Sequence, residues 1–221
     1  MKTKNRPHIR THITALLLAV LLCSLVFTAL SASADGGAPG LDYTGLGDGF
    51  SAILYDNSNG LPTSEANAIA QTEEGLLWIG CYSGLIRYDG NEFYRYSTQA
   101  GIASVMSLFV DSRGRLWIGT NDSGIALLSD DAFSFYGKND GLPSTSVRTI
   151  TEDGDGNIVV GTTKGLAYID KNGVLQKIDD PRINEKYVCE LAPGSNGVLY
   201  GVTNDGDFFT LNGVRFGELF V

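Results

Sequence analysis

Histidine is almost missing from this chain: 2 in 221 residues, His8 and His12, both at the N-terminal end. The body therefore lacks the commonest general base, and Ser-His-Asp or Cys-His catalytic arrangements are excluded there. Cysteine is scarce at 3. Cys23 lies in an apolar run, while Cys81 and Cys189 fall at different places in the repeats described below. They are not a repeated staple, and small buried side chains are the simpler reading. No cluster has zinc-ligand spacing. Acidic residues are absent before Asp35, where Lys2, Lys4, Arg6 and Arg10 stand. Beyond that point twelve basic residues face 25 acidic ones, a balance of −13. Such a body argues against a nucleic-acid partner. No segment shows 3.6-residue apolar periodicity over ten positions, so a helical body is excluded. Proline is rare (6) beside glycine (28), a turn-rich rather than disordered composition.

What is present begins with an export segment over residues 1–34. The basic start precedes an uncharged apolar run, Ile13 to Leu30, 18 residues long. Ala32-Ser33-Ala34 follows, with the small-x-small pattern of a cleavage site. The run reads as a signal peptide cleaved near Ala34, or as an uncleaved anchor helix just long enough to span a bilayer. Either delivers the rest outside the cytoplasm. Residues 35–49, rich in Gly and Asp, read as a flexible lead-in. Phe50–Tyr55 reads as a strand, followed by the turn cluster Asp56-Asn57-Ser58-Asn59-Gly60.

The rest repeats. Leu77-Trp78-Ile79-Gly80-Cys81 recurs as Leu116-Trp117-Ile118-Gly119-Thr120, then in weaker form as Val159-Val160-Gly161-Thr162 and Leu199-Tyr200-Gly201-Val202. The glycines step by 39, 42 and 40 residues. Gly60-Leu61-Pro62, Gly101-Ile102-Ala103 and Gly141-Leu142-Pro143 open three of the units. Gly75, Gly114, Gly156 and Gly197 mark an internal turn. Each unit contains four short strands, which makes it one propeller blade. The fold expected is all-β, a β-propeller over residues 50–221. Its approximate blades are 60–100, 101–140, 141–178 and 179–216. Stacked meanders cover both apolar faces of each sheet. Trp78 and Trp117 would fill the gap between blades, and Gly80 and its equivalents would let backbones approach near the axis.

The unit from Gly141-Leu142-Pro143 through Val147, Ile150, Asp153, Gly156, Gly161-Thr162 and Gly165-Leu166 resembles the two-component regulator propeller repeat. The unit with Val105, Leu108, Asp111, Gly114, Trp117 and Gly124 resembles it more closely at the tryptophan. The first unit departs at Ala66, Thr72 and Cys81. The fourth lacks both the Gly-Leu-Pro opening and the Trp. The resemblance implies the extracytoplasmic sensor region of a transmembrane histidine kinase or diguanylate cyclase. No such output module is present. The four blades read as the N-terminal part of a longer receptor with a larger ring. A homodimer of that parent would be the signalling unit.

In propellers two sets of turns gather on one face, one before the first strand of each blade and one between its second and third strands. Asn67, Met106, Arg148 and Cys189 share one address just inside the first strand, and that address varies while its neighbours do not. Variation on a fixed scaffold is what a binding face requires. The ligand-binding candidates are Asn67, Tyr82, Asn121, Asp122, Arg148, Asn204 and Asp205. Turn chemistry alone accounts for Asn121-Asp122 and Asn204-Asp205; Tyr82 and Arg148 are not needed by any turn. Asp153-Gly154-Asp155-Gly156-Asn157 looks like a calcium loop but has Ile158 and Lys164 where Gly and Glu are required, so it reads as a hairpin turn. No catalytic residue, metal or cofactor is expected. The function expected is ligand sensing, of a small ligand such as a carbohydrate or peptide. A freestanding exported carbohydrate- or peptide-binding propeller is the alternative, and a propeller lyase a distant third.

Overall fold

The computed structural model describes residues 53–58, 60–96 and 102–220. The export segment and lead-in expected over residues 1–49 lie outside them. Four sheets follow one another. The first is β1 (Ala68–Gln71), β2 (Leu77–Cys81), β3 (Gly84–Tyr88) and β4 (Phe93–Tyr96). The second is β5 (Val105–Val110), β6 (Leu116–Thr120), β7 (Ile125–Ser129) and β8 (Ala132–Tyr136). The third is β9 (Val147–Glu152), β10 (Ile158–Thr162), β11 (Gly165–Ile169) and β12 (Leu175–Ile178). The fourth is β13 (Val188–Pro193), β14 (Val198–Thr203), β15 (Phe208–Asn212) and β16 (Arg215–Phe220). Each is an antiparallel meander in chain order. The fold is the all-β propeller expected. Of the strand expected at Phe50–Tyr55, residues 53–55 are not in a strand, and residues 50–52 lie outside the described residues. Tyr55 lays its ring against Tyr88 and Phe93, with centroids 5.6 and 5.2 Å apart.

The sheets fan out from their first strands. β1 packs on β5, β5 on β9 and β9 on β13. No comparable packing joins the outer strands β4, β8, β12 and β16 to one another among the described residues. The reason lies in the side-chain pattern. Both faces of a middle sheet are apolar, and all five residues of β6 and of β10 are buried. One cluster fills each gap. Trp78, Leu85 and Val105 belong to the gap between sheets one and two. Trp117, Ile125 and Val160 belong to the next, and Val159, Leu166 and Phe209 to the third. Truncating a tryptophan buried this way to alanine removes about 3–5 kcal/mol.

Near the axis the sheets almost touch. A Cβ added at Gly119 would sit 2.6 Å from Val147 Cγ1, and one at Gly161 2.7 Å from Val188 Cγ1. Only glycine admits that approach. The fourth unit breaks the pattern by one residue. Val202 pairs with Glu190 as Gly119 pairs with Ser107, so Gly201 stands where the earlier units have Ile118 or Val160. The Phe209 ring lies over the Gly201 Cα. The pairs Ile118–Ala126 and Val160–Ala167 become Gly201–Phe209. The volume moves to the neighbouring strand, and Tyr200 thereby takes the tryptophan position.

Candidate functional site

The address shared by Asn67, Met106, Arg148 and Cys189 has a structural meaning. In sheets two, three and four the first strand carries a register shift, between Val105 and Ser107, at Val147 and Thr149, and between Val188 and Glu190. Met106, Arg148 and Cys189 are the extra residues. A β-bulge leaves its extra residue unpaired and re-aims its side chain. Asn67 holds the equivalent place, one residue before the Ala68–Gly80 pair.

Backbone bonds bring the two sets of turns together. The N–H groups of Asn121, Thr163 and Asn204 donate to the carbonyls of Ser104, Ser146 and Tyr187 at 2.9, 3.0 and 2.9 Å. The residue after each second strand is thus tied to the residue before a first strand. Arg148 is the hub of this end. Its Nε donates to the Tyr187 hydroxyl at 2.6 Å and its Nη2 to Asn121 Oδ1 at 2.8 Å. Its Nη1 donates to the Val147 carbonyl at 3.3 Å. The guanidinium also stands 5.4 Å from the centre of the Tyr187 ring. Asn121 Oδ1 accepts a further bond from Ser146 Oγ at 3.3 Å. One side chain thus links sheets two, three and four, through partners that are all neutral.

A cleft of about 200 Å³ runs along the first strands, lined by Asn67, Met106, Arg148, Thr149 and Glu190 among others. Asn67 Nδ2 donates to the Val105 carbonyl at 2.9 Å, tying sheet one to sheet two. The Thr149 hydroxyl donates to Glu190 Oε1 at 3.0 Å. Burial pushes the Cys189 thiol up, partly countered by the Arg148 charge.

Of the seven candidates, Asn121 and Arg148 are in direct contact and Asn67 lines the same cleft. Tyr82 is exposed, and its carbonyl accepts from Ser104 N at 3.0 Å. Asp122 accepts from the Ser123 hydroxyl, a turn bond. Asn204 contributes the backbone bond above, and Asp205 faces Lys186 at 3.7 Å. Lys186 holds Asp207 more closely, and that hydrogen bond raises its pKa above the ordinary lysine range. Sequence reasoning passed over Tyr187 and Glu190. Tyr187 was findable, because it sits immediately before a first strand. The Asp153 loop is a turn: its Oδ1 accepts from the backbones of Asp155 and Asn157, and its Oδ2 from Asn157 Nδ2. No group that could hold a metal ion occurs among the described residues.

Four-stranded meanders fanned from a common edge, with bulged first strands at one end, define a β-propeller repeat protein. The family model for the two component regulator propeller matches residues 60–83, 101–122 and 141–164 of this chain. No curated protein matches the chain. Among solved structures it is similar to the extracellular domain of a hybrid two component system from B. thetaiotaomicron, at 24% identity and a TM-score of 0.63, over 71% of this chain and 23% of that one. It is similar to a streptogramin B lyase at 22% and 0.61, over 72% and 55%. It is also similar to an inactive virginiamycin B lyase from Staphylococcus aureus with quinupristin, at 18% and 0.59, over 70% and 54%. The chain spans about a quarter of the first and about half of the two lyases. At these identities the likeness is one of fold.

Proposed function

We propose that this chain is the extracytoplasmic ligand-sensing propeller of a membrane signalling receptor, of the two-component or cyclic-di-GMP type. The ligand sits at the bulged end of the first strands, and Arg148 is its principal contact. The carrying observation is that Arg148 is a bulge residue holding three sheets together through neutral partners. Its charge has no carboxylate counterpart among the described residues, so it suits an anionic group on a small carbohydrate or peptide. A ligand drawing Arg148 away from Tyr187 or Asn121 changes the coupling between sheets. That supplies the differential affinity for two states that signalling needs. The repeat family and the likeness to an extracellular two-component domain support the reading.

The lyase likeness favours no enzymatic reading of this chain. The only histidines are His8 and His12, whereas the inactive virginiamycin B lyase differs from its active form by a histidine-to-alanine change. Thermal-shift measurement on the full chain, with uronic-acid oligosaccharides, their neutral counterparts and acidic peptides, tests the proposal. A ligand binding only the native state raises the midpoint. An acidic sugar or peptide should raise it, and Arg148→Ala should abolish the rise. Equal shifts from neutral and acidic sugars, or a shift that survives Arg148→Ala, would overturn the assignment.

A further inference from the structure

The repeat places a matching trio of side chains on the leading face of every sheet. In sheet one it is Trp78, Leu85 and Tyr96; in sheet two, Trp117, Ile125 and Tyr136; in sheet three, Val159, Leu166 and Ile178. The pairing registers make these sets equivalent: Leu85 lies opposite Gly80 and Tyr96, Ile125 opposite Gly119 and Tyr136, and Leu166 opposite Gly161 and Ile178. All three sets pack into the gap before the next sheet. The fourth set is Tyr200, Phe208 and Phe220, with Phe208 opposite Val202 and Phe220. It is exposed, at 38, 44 and 50%. The three rings run in a ladder, with centroids 5.7 and 6.2 Å apart. This is the one fully aromatic set of the four, and none of the described residues covers it.

The opposite end of the fan is its complement. In sheets two to four the receiving face is formed by the rows headed by Leu108, Ile150 and Leu191. In sheet one the same row is Ile69, Ile79 and Ile86. Ile150 and Leu191 are buried, whereas Ile69 is 66% exposed. The receiving face is otherwise already assembled. Leu61 and Phe93 pack there with Ile86 and Cys81. Leu61 holds the position that Ile102, Leu142 and Ile183 hold inside the three internal gaps. β1 and β13 do not pack on each other as β1 packs on β5, so the fan is open.

We propose that two copies of this chain close each other's fan. The Tyr200–Phe208–Phe220 face of one copy seats on the Ile69–Ile79–Ile86 face of the other, and the reverse. The contact is the inter-sheet interface the chain already makes three times internally, repeated in trans. It is heterologous, and such a contact forms a ring when the rotation closes. Two copies bring eight sheets, within the usual range of propellers. Closure also completes the axial cleft, which gains the second copy's Asn67, Met106, Arg148 and Cys189. The proposal concerns assembly and does not require the ligand assignment above.

Sedimentation velocity of the full chain, from about 1 to 100 μM, tests it, with circular dichroism to verify that each variant is folded. A discrete two-copy species is expected. Phe208→Glu and Ile69→Glu should each give a monomer. An equimolar mixture of the two variants should recover a two-copy species through its single intact contact. A monomer across the whole range overturns the proposal. So does a dimer that withstands Ile69→Glu, which would mean sheet four pairs with itself. Open-ended growth beyond two copies overturns ring closure.

Discussion

Trp117 Nε1 donates a hydrogen bond of 2.8 Å to Asp111 Oδ2, and both side chains are buried. The same carboxylate accepts from the backbones of Arg113 and Arg115 and from the Arg115 guanidinium. It closes the first hairpin of sheet two, seats the indole in the gap toward sheet three, and balances the one cation beside it. Removing it strands several buried donors. We expect Asp111→Ala to destabilise the fold by about 3 kcal/mol, the scale for breaking a buried pair. Urea denaturation checks it, and a loss under about 1 kcal/mol would show that water replaces the carboxylate.

The pH dependence of that contribution has a definite sign. Burial pushes the Asp111 carboxyl up, but bonds from Trp117, Arg115 and Arg113 outweigh it and hold the group below the ordinary carboxylate range. A folded value below the unfolded one means the contribution is complete above the unfolded value of about 3.9. It is lost as pH falls through the depressed folded value. Stability measured from pH 6 down to pH 2 should fall more steeply for the native chain than for Asp111→Asn.

Sheet one lacks this device. Thr72 occupies the place of Asp111, with Thr72 N bonded to the Leu76 carbonyl at 3.0 Å as Asp111 N is to Arg115. Trp78 is only 4% exposed, and its indole N–H has no partner. Thr72→Asp should supply the missing acceptor. We expect a gain of about 1 kcal/mol at neutral pH, a rise of about 2–4 °C in Tm for a domain this size. The gain should vanish below the carboxylate range. An unchanged or lower Tm at pH 7 would show that the charge is not accommodated there.

Gly119 should tolerate nothing larger. An alanine Cβ there meets both Ser107 and Val147, so the gap between sheets two and three must widen. We expect Gly119→Ala to lower stability by about 1–3 kcal/mol, the range for overpacking. Gly90→Ala serves as the contrast: its added Cβ meets no neighbour, but its φ of +95° adds a backbone strain of its own. Chemical denaturation of the two variants separates the packing loss, seen as an m-value preserved with a lower midpoint, from loss of two-state behaviour.

Cys81 and Cys189 are free thiols, and burial raises the Cys189 pKa. Reducing agent should therefore leave Tm unchanged, and Cys189 alkylation should be slow at pH 7 and accelerate above pH 9. Rapid neutral labelling would mean that the first strand of sheet four opens readily.

The forty-residue beat, the four strands per unit and the place of Trp78 and Trp117 were legible in the amino-acid order. They are local facts, set by alternating side chains and glycine turns. The clustering of the turns at one end followed from the same beat. Three things were decided only in three dimensions. Gly201 looked like the partner of Gly161, yet the ladder puts Val202 there, because Phe209 needs the space above a glycine. Arg148 was one of seven candidates, and only its position on a bulge joined it to Tyr187 and Asn121, residues 39 and 27 positions away. Tyr200, Phe208 and Phe220 look in sequence like any other strand aromatics. Whether an aromatic is buried depends on whether a neighbour stands over it, and that neighbour is a matter of packing between sheets rather than of pattern within one.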